Sequence, residues 1–222
     1  MRWLYFKKNT MKITTPFITS VSRLIISILV CAFISACYNS IQLSPLPKDS
    51  VVLAFGDSLT TGYGTTAENS YPSILAQLSG YKVINAGISG ETTEQGLVRF
   101  SYTLDEFKPK LVILMEGAND ILQNKNLRQT KQNLNLMIHE AKSRNIQILL
   151  VAIPTKSLFL SSAGLYSELA EENNLILDNT TIIKLLNSPE LKSDSVHFNQ
   201  QGYRIMAERF YAILKNHGVF IN

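Results

Sequence analysis

Cysteine is nearly absent from this sequence of 222 residues: Cys31 and Cys37 are the only two. Beyond Cys37 there is no thiol, which excludes disulfides, cysteine-based metal sites and a cysteine nucleophile from the remaining body. Histidine is almost as scarce. His139, His197 and His217 are scattered, which argues against a zinc site. No uninterrupted apolar run reaches the ~20 residues that a membrane-spanning helix needs. A phosphate cradle is also missing, since Gly62-Tyr63-Gly64 lacks a third glycine and a following Lys-Ser/Thr. Basic charge is absent where a nucleic-acid domain would need it. The net charge is +4, but the first 37 residues hold five of the 21 Lys and Arg and none of the 17 Asp and Glu. The body is left with 16 basic and 17 acidic residues, so no nucleic-acid partner is expected. What is abundant is apolar: hydrophobic residues make up 45% and charged residues 17%, which excludes disorder along the whole length.

The positive charges near the start precede Leu24–Ala36, LIISILVCAFISA, thirteen residues without a charge. This suits the apolar region of an export signal. The run ends in Ile34-Ser35-Ala36-Cys37, which resembles the lipobox of bacterial lipoproteins. The resemblance implies that Cys37 becomes a lipidated N-terminus, tying the protein to a membrane on its periplasmic side. The alternative is an uncleaved signal anchor, with Cys37 an ordinary small residue. Met1 and Met11 both stand as possible starts. Residues 1–37 are therefore set aside as signal, and 38–50, with Pro45 and Pro47 and no periodicity, reads as an extended tether.

From residue 51 to 222 short β-branched runs alternate with helical stretches. Strands are expected at Val51–Phe55, Lys82–Asn85, Leu111–Glu116, Ile146–Ile153 and Leu175–Leu177. Helices are expected at Tyr71–Leu78, Thr92–Phe107, Leu127–Arg144, Gly164–Asn173, Thr181–Leu186 and Asn199–Asn216. Strands apolar on both faces, interleaved with amphipathic helices, predict an α/β fold: a three-layer α/β/α sandwich around a flavodoxin-like, five-stranded parallel sheet. Ligands of such sheets bind beyond the carboxyl ends of the strands, where the strand order reverses.

Four separated segments point at that edge. The first strand runs into Gly56-Asp57-Ser58-Leu59-Thr60, which exposes a serine beside free backbone amides. The second leads through the small-residue loop Asn85–Gly90. The third runs into Gly117-Ala118-Asn119-Asp120. Near the end comes Asp194-Ser195-Val196-His197, whose spacing lets carboxylate and imidazole meet on one turn. Together they supply the parts of acyl transfer. Ser58 is the nucleophile, His197 the base that takes its proton, and Asp194 the group that orients and stabilises the imidazole. The amides of Ser58 and Gly90 and the Asn119 side chain are candidate oxyanion donors.

This arrangement resembles the GDSL/SGNH serine hydrolase superfamily. GDSLT at Gly56–Thr60, Gly90, GAND at Gly117–Asp120 and DSVH at Asp194–His197 match its four blocks in order. The stretch NAGISGETTEQGL, Asn85–Leu97, is similar to the bacterial acyl-CoA thioesterase I, lysophospholipase and arylesterase subgroup. The resemblance implies the SGNH fold, a Ser58–His197–Asp194 triad, an oxyanion hole of Ser58, Gly90 and Asn119, acyl ester or thioester substrates, and no metal or organic cofactor. There are departures. Ala118 replaces the glycine usual in that subgroup, and Thr155–Ala163 is unlike it. Two other readings stay open: a carbohydrate or peptidoglycan O-acetyl esterase, and a non-catalytic lipid- or glycan-binding lipoprotein.

Other polar residues invite plainer readings. Asp57 and Asp120 sit at helix starts, where carboxylates cap free amides. Asp178 is a rival to Asp194, but lacks its fixed spacing from His197. His139 shares a solvated helix face, and His217 falls in a last turn where a positive group suits the helix dipole. Leu158-Phe159-Leu160 either lines an acyl pocket or covers the core.

Overall fold

Five strands form one parallel sheet in the order β2-β1-β3-β4-β5. They are β1 (Val51–Gly56), β2 (Lys82–Gly87), β3 (Leu111–Met115), β4 (Gln147–Val151) and β5 (Ile176–Asp178). The computed structural model describes residues 41–155 and 163–220. Cys37, the rest of the signal segment and Leu158-Phe159-Leu160 lie outside the described residues. The central strands β1 and β3 are apolar on both faces and buried almost throughout. Edge strand β2, with Lys82 and Asn85, is largely exposed or half-buried. That contrast is what a sheet covered by helices on both sides requires.

The helices are α1 (Ser58–Thr61), α2 (Tyr71–Ser79), α3 (Thr93–Phe107), α4 (Ala118–Leu122), α5 (Leu127–Ser143), α6 (Gly164–Asn173), α7 (Thr181–Leu186) and α8 (Gln200–Asn216). The chain steps outward from β1 to β2 and then back across β1 to β3. Right-handed crossovers therefore send the helices before and after β2 to opposite faces. Accordingly α2 packs against α8, and α3 packs against α5, which in turn meets α6. The strand order reverses between β1 and β3, so the crevice for a ligand opens above those two strands. The three-layer α/β sandwich expected from the alternation is the fold found.

Local signals explain most boundaries. Pro72 sits in the first turn of α2, and left-handed Gly80 ends it. Thr92 and Gln95 form a capping box on α3. The Asn199 side chain accepts from the Gly202 amide at the start of α8. Two elements had no periodic signal. The four residues of α1 and five of α4 are too short to show one.

The residues just before β1 differ from the expected tether. From Ile41 on, the chain is pinned to the domain and belongs to the same compact unit. The Leu43 amide donates to the His217 carbonyl and the Leu46 amide to the Val219 carbonyl, both at 3.0 Å. The Tyr81 hydroxyl donates to the Leu46 carbonyl at 2.8 Å, and the Gln147 side-chain amide to that of Ser44 at 2.9 Å. Leu46 is fully buried, and Ile41 and Leu43 pack at the margin of the core. The physical reason is that Ile41, Leu43 and Leu46 remove apolar surface from water, which a free tether would leave exposed. Tyr81 precedes β2 and Gln147 opens β4, so this segment crosses the end of the sheet where strands begin.

Candidate active site

At the opposite end, where strands finish, β1 delivers Gly56-Asp57 and then Ser58 at the start of α1. The Asp57 carboxylate caps α1 by accepting from the Leu59 amide at 3.0 Å. Gly56 must be small here, since a Cβ would collide with the Met115 carbonyl and the Thr60 hydroxyl. As the first residue of the helix, Ser58 keeps an amide with no intrahelical acceptor. Its hydroxyl lies 2.9 Å from His197 Nε2. On the other side of the ring, His197 Nδ1 lies 2.7 Å from Asp194 Oδ2. The remaining Asp194 oxygen accepts from the amides of Val196 (2.9 Å) and His197 (2.8 Å). These bonds suit a tautomer in which Nδ1 donates to Asp194 and Nε2 accepts from Ser58.

The 193–198 loop holds this pair in place. The Ser193 amide donates to the His197 carbonyl at 3.0 Å, and Lys192 bridges Phe198 across the loop base. Burial works to raise the Asp194 carboxyl. The Val196 amide, the His197 ring and the His197 amide outweigh it and hold the group down at about 2. Asp194 is thus fixed in its charged form.

Asn119, the second residue of α4, donates its side-chain amide to the Glu91 carbonyl at 2.8 Å and reaches Asp57 at 3.4 Å. The first bond ties the end of β3 to the loop after β2. Gly90 sits in that loop in a left-handed conformation, φ 83°, which favours glycine. Ser58, Tyr63, Gly90, Asn119, Leu122 and His197 line one cleft of about 310 Å³. The sequence-derived candidates Ser58, Gly90, Asn119 and His197 therefore share one cavity, with Asp194 behind the histidine. A second, mostly apolar cavity of about 230 Å³ adjoins it, sharing Leu59, Ala118, Leu122 and Val196 and extending to Ile153 and Ile182. The Ala118 methyl stands at the boundary of the two.

Several residues around the cleft have roles that spacing did not reveal. Arg99, on α3, grips both Glu91 carboxylate oxygens and donates to the Ala86 carbonyl at 2.9 Å. Its guanidinium carbon lies 3.9 Å from the Phe55 ring centre. Glu116, at the end of β3, is fully buried. Burial above all, then the charge of Asp57 and a hydrogen bond to Glu91, push its carboxyl well above the usual range. Its Oε1 receives no N–H or O–H among the described residues, as suits a protonated carboxyl that donates to Glu91. Burial likewise raises Asp57 to about 7. The Leu59 amide opposes this, and the charges of Glu91 and Asp120 add to it. An arginine on the inner face of α3 and an acid closing an apolar strand were the signals available.

Asp120 caps a helix, but not its own. It accepts from the Thr93 amide (2.8 Å) and hydroxyl (2.6 Å), joining α4 to the start of α3. Asp178 accepts from the amides of Thr180 and Thr181 and the Thr180 hydroxyl, which commits it to the start of α7. His139 is exposed. His217 ends α8 with Nδ1 at 2.5 Å from the Ile41 carbonyl. Tyr63 tilts over the His197 ring, with ring centres 4.5 Å apart. Among the described residues no group of three His, Cys, Asp or Glu is arranged to hold a metal, and no helix is long and apolar enough to cross a membrane.

Comparison with known proteins gives this geometry a context. The chain matches the GDSL-like Lipase/Acylhydrolase family over residues 54–205. It is similar to Thioesterase 1/protease 1/lysophospholipase L1 of Escherichia coli (strain K12), 29% identical over 165 residues that cover 71% of this chain and 79% of that protein. It is 37% identical over 118 residues to the Uncharacterized lipoprotein YqeF of Bacillus subtilis (strain 168), covering 46% of this chain and 48% of that one. Among solved structures, the psychrotrophic esterase EstA from Pseudoalteromonas sp. superposes with a TM-score of 0.69 at 25% identity, covering 76% of this chain and 98% of that one.

Proposed function

We propose, for a chain that belongs to the GDSL-like lipase/acylhydrolase family and is an ester hydrolase, that Ser58, His197 and Asp194 carry the reaction on acyl esters or thioesters. The observation that carries this reading is the continuous hydrogen-bonded chain, 2.9 Å from Ser58 Oγ to His197 Nε2 and 2.7 Å from Nδ1 to Asp194. Ser58 Oγ attacks the acyl carbonyl while Nε2 takes its proton. Ionised Asp194 stabilises the imidazolium that forms. The tetrahedral oxyanion is received by the amides of Ser58 and Gly90 and by the Asn119 side chain. Asn119 keeps its 2.8 Å bond to the Glu91 carbonyl and turns its other hydrogen, loosely held at 3.4 Å from Asp57, toward the oxyanion. His197 then protonates the leaving alcohol or thiol. It next deprotonates a water that attacks the acyl-serine, and it returns that proton to Ser58 Oγ as the acid leaves.

The apolar cavity beside the nucleophile supports a medium or long acyl chain over acetyl, with Leu59, Ile153, Ile182 and Val196 as its walls. The signal segment adds a location. Cys37 would carry the lipid that holds the protein to the periplasmic side of a membrane, as the similarity to a protein named a lipoprotein supports. Residues 1–37 would then be the signal and anchor region, with Cys37 the first residue of the mature hydrolase. The decisive assay is a p-nitrophenyl ester series from acetate to palmitate, with Ser58→Ala as control. Turnover should peak at medium or long chains and fall by roughly 10⁴–10⁶ in the variant. Activity confined to acetate would point instead to a deacetylase. A folded Ser58→Ala protein that keeps most of its turnover would sink the proposal.

A further inference from the structure

The end of the sheet where strands begin has a charge pattern of its own. Lys82 opens β2, and Lys110 precedes β3, its amide on the Val51 carbonyl and its carbonyl receiving the Gln147 amide. Lys48 lies just ahead of β1, Lys108 follows α3, and Lys215 is in the last turn of α8. All five are exposed, and none forms an ion pair among the described residues. Of the acids nearby, Asp49, Asp105, Glu106 and Glu140, Asp105 and Glu140 are taken by Arg144. Lys108 and Lys215 also complement helix C-termini, but Lys48, Lys82 and Lys110 are not in a helix.

The same end receives the N-terminal segment. Because Ile41–Ser50 is pinned there, only Tyr38, Asn39 and Ser40 separate Cys37 from the packed domain. Fully extended, four Cα steps span about 14 Å, less than the roughly 20 Å height of a six-residue strand such as β1. A lipid on Cys37 could not let the domain turn its other end to the bilayer.

We propose that this basic edge rests on an anionic bilayer surface at the point of anchorage. The cleft of Ser58 and His197 then opens away from that bilayer and draws its ester from the aqueous space, not from the leaflet that holds the anchor. This rests on the lipid-anchor reading of Cys37. Each lysine near an anionic surface biases the orientation by roughly fivefold.

The test uses the full chain, processed in a bacterial host and reconstituted in phosphatidylcholine–phosphatidylglycerol vesicles. The body has no cysteine, so one introduced thiol is unique. A fluorophore is placed at Asn216→Cys, on the basic edge, or at Gln123→Cys, beside the cleft, and quenched by nitroxide lipids. Quenching is expected at 216 and not at 123. The difference should narrow in Lys48→Gln/Lys82→Gln/Lys110→Gln, in which the short tether alone keeps that end at the surface. Inserting about twenty Gly and Ser residues between Ser40 and Ile41 should raise hydrolysis of an ester lipid in the same vesicle and leave a soluble ester unaffected. Equal or reversed quenching in a lipidated chain overturns the inference alone. A chain without lipid at Cys37 overturns it together with the anchor reading. Loss of soluble-ester hydrolysis in every form speaks only against the Ser58 mechanism.

Discussion

Two assemblies of ionisable groups lie a few residues apart in this protein and are built in opposite ways. The Asp194–His197 pair sits on a surface loop, with its carboxylate half-exposed and held low at about 2 by amides and the imidazole. Beneath the cleft, Asp57, Glu91 and Glu116 are buried around a single arginine, and burial pushes Asp57 and Glu116 upward. The exposed pair reaches solvent with a charge that is cheap to maintain. The buried group has no such access. It links β1, β3, α3 and the Gly90 loop, and it keeps its carboxyls tolerable by sharing protons and one cation. The difference separates chemistry from placement: the loop would move protons, and the buried assembly would hold the oxyanion donors still.

The sharpest way to break that comparison is to change the exposed acid without changing its shape. Asp194→Asn keeps an oxygen for the amides of Val196 and His197, but it no longer stabilises an imidazolium. If Asp194 has the role proposed, kcat falls by about 10⁴, while thermal stability near neutral pH drops only by the modest contribution of the charged carboxylate. An active Asp194→Asn enzyme would assign the acid's role elsewhere.

The buried assembly should respond in the opposite sense. Arg99→Met leaves Glu91 buried without its cation and frees the loop that Arg99 ties to the Ala86 carbonyl. Stability should drop by about 3 kcal/mol. Well below the melting temperature, kcat should fall by about 10² through misplaced Gly90 and Asn119, with KM changing less. Arg99→Lys keeps the charge but not the fork geometry, and should recover part of both losses. Loss of stability with kcat intact would make Arg99 purely structural.

The same division governs what was readable from sequence. The fold was legible because β1, β3 and β4 are apolar runs bounded by turn residues, and because α5 and α8 keep a 3.6-residue stripe. The exceptions have local causes. Leu127 opens the helix expected at Leu127–Arg144 but is exposed, because as the helix's first residue it extends past the core. Ile41–Ser50 has no periodicity, and its attachment comes from three apolar side chains meeting distant partners. In the site, Ser58, Asn119 and His197 were readable because each sits at a strand end or beside an acid at fixed spacing. Arg99–Glu91 and Asp120–Thr93 were not. They join side chains eight and 27 residues apart, and only the crossover from β2 to α3 brings them together.

A pH titration of stability sharpens the comparison with a smaller effect. Asp57 moves from 3.8 to about 7 on folding, so between these values the folded chain holds a proton that the unfolded chain releases. Its contribution is present below pH 4 and is lost as pH rises toward 7, and Glu116, whose carboxyl is also raised by burial, adds to the loss. Asp194, lowered on folding, acts oppositely: its contribution is present above pH 4 and is lost as pH falls toward 2. Urea midpoints should therefore decline from pH 4 to 7. Asp57→Asn, which still offers an oxygen to the Leu59 amide, should flatten that decline. An unchanged slope would mean that Asp57 is ionised in the folded protein.

The smallest expected effect lies against the exposed assembly. The Tyr63 ring tilts over His197 at 4.5 Å, and the Tyr203 hydroxyl fixes the Tyr63 backbone by donating to its carbonyl at 2.8 Å. Gly64 beside it has φ 93°, and a Cβ there would strike the Ser193 hydroxyl, so this turn is fitted against the 193–198 loop. An aromatic face attracts a cation, and on the proposed mechanism the ring beneath it becomes one as Ser58 gives up its proton. At a half-exposed site the attraction is worth about 0.5–1 kcal/mol, or a two- to fivefold change in rate. Tyr63→Leu should reduce kcat/KM by that factor, whereas Tyr63→Phe, which keeps the ring, should not. Equal losses in both variants would instead give the role to the phenol hydroxyl, and Tyr63 would then act on substrate directly, not through the histidine.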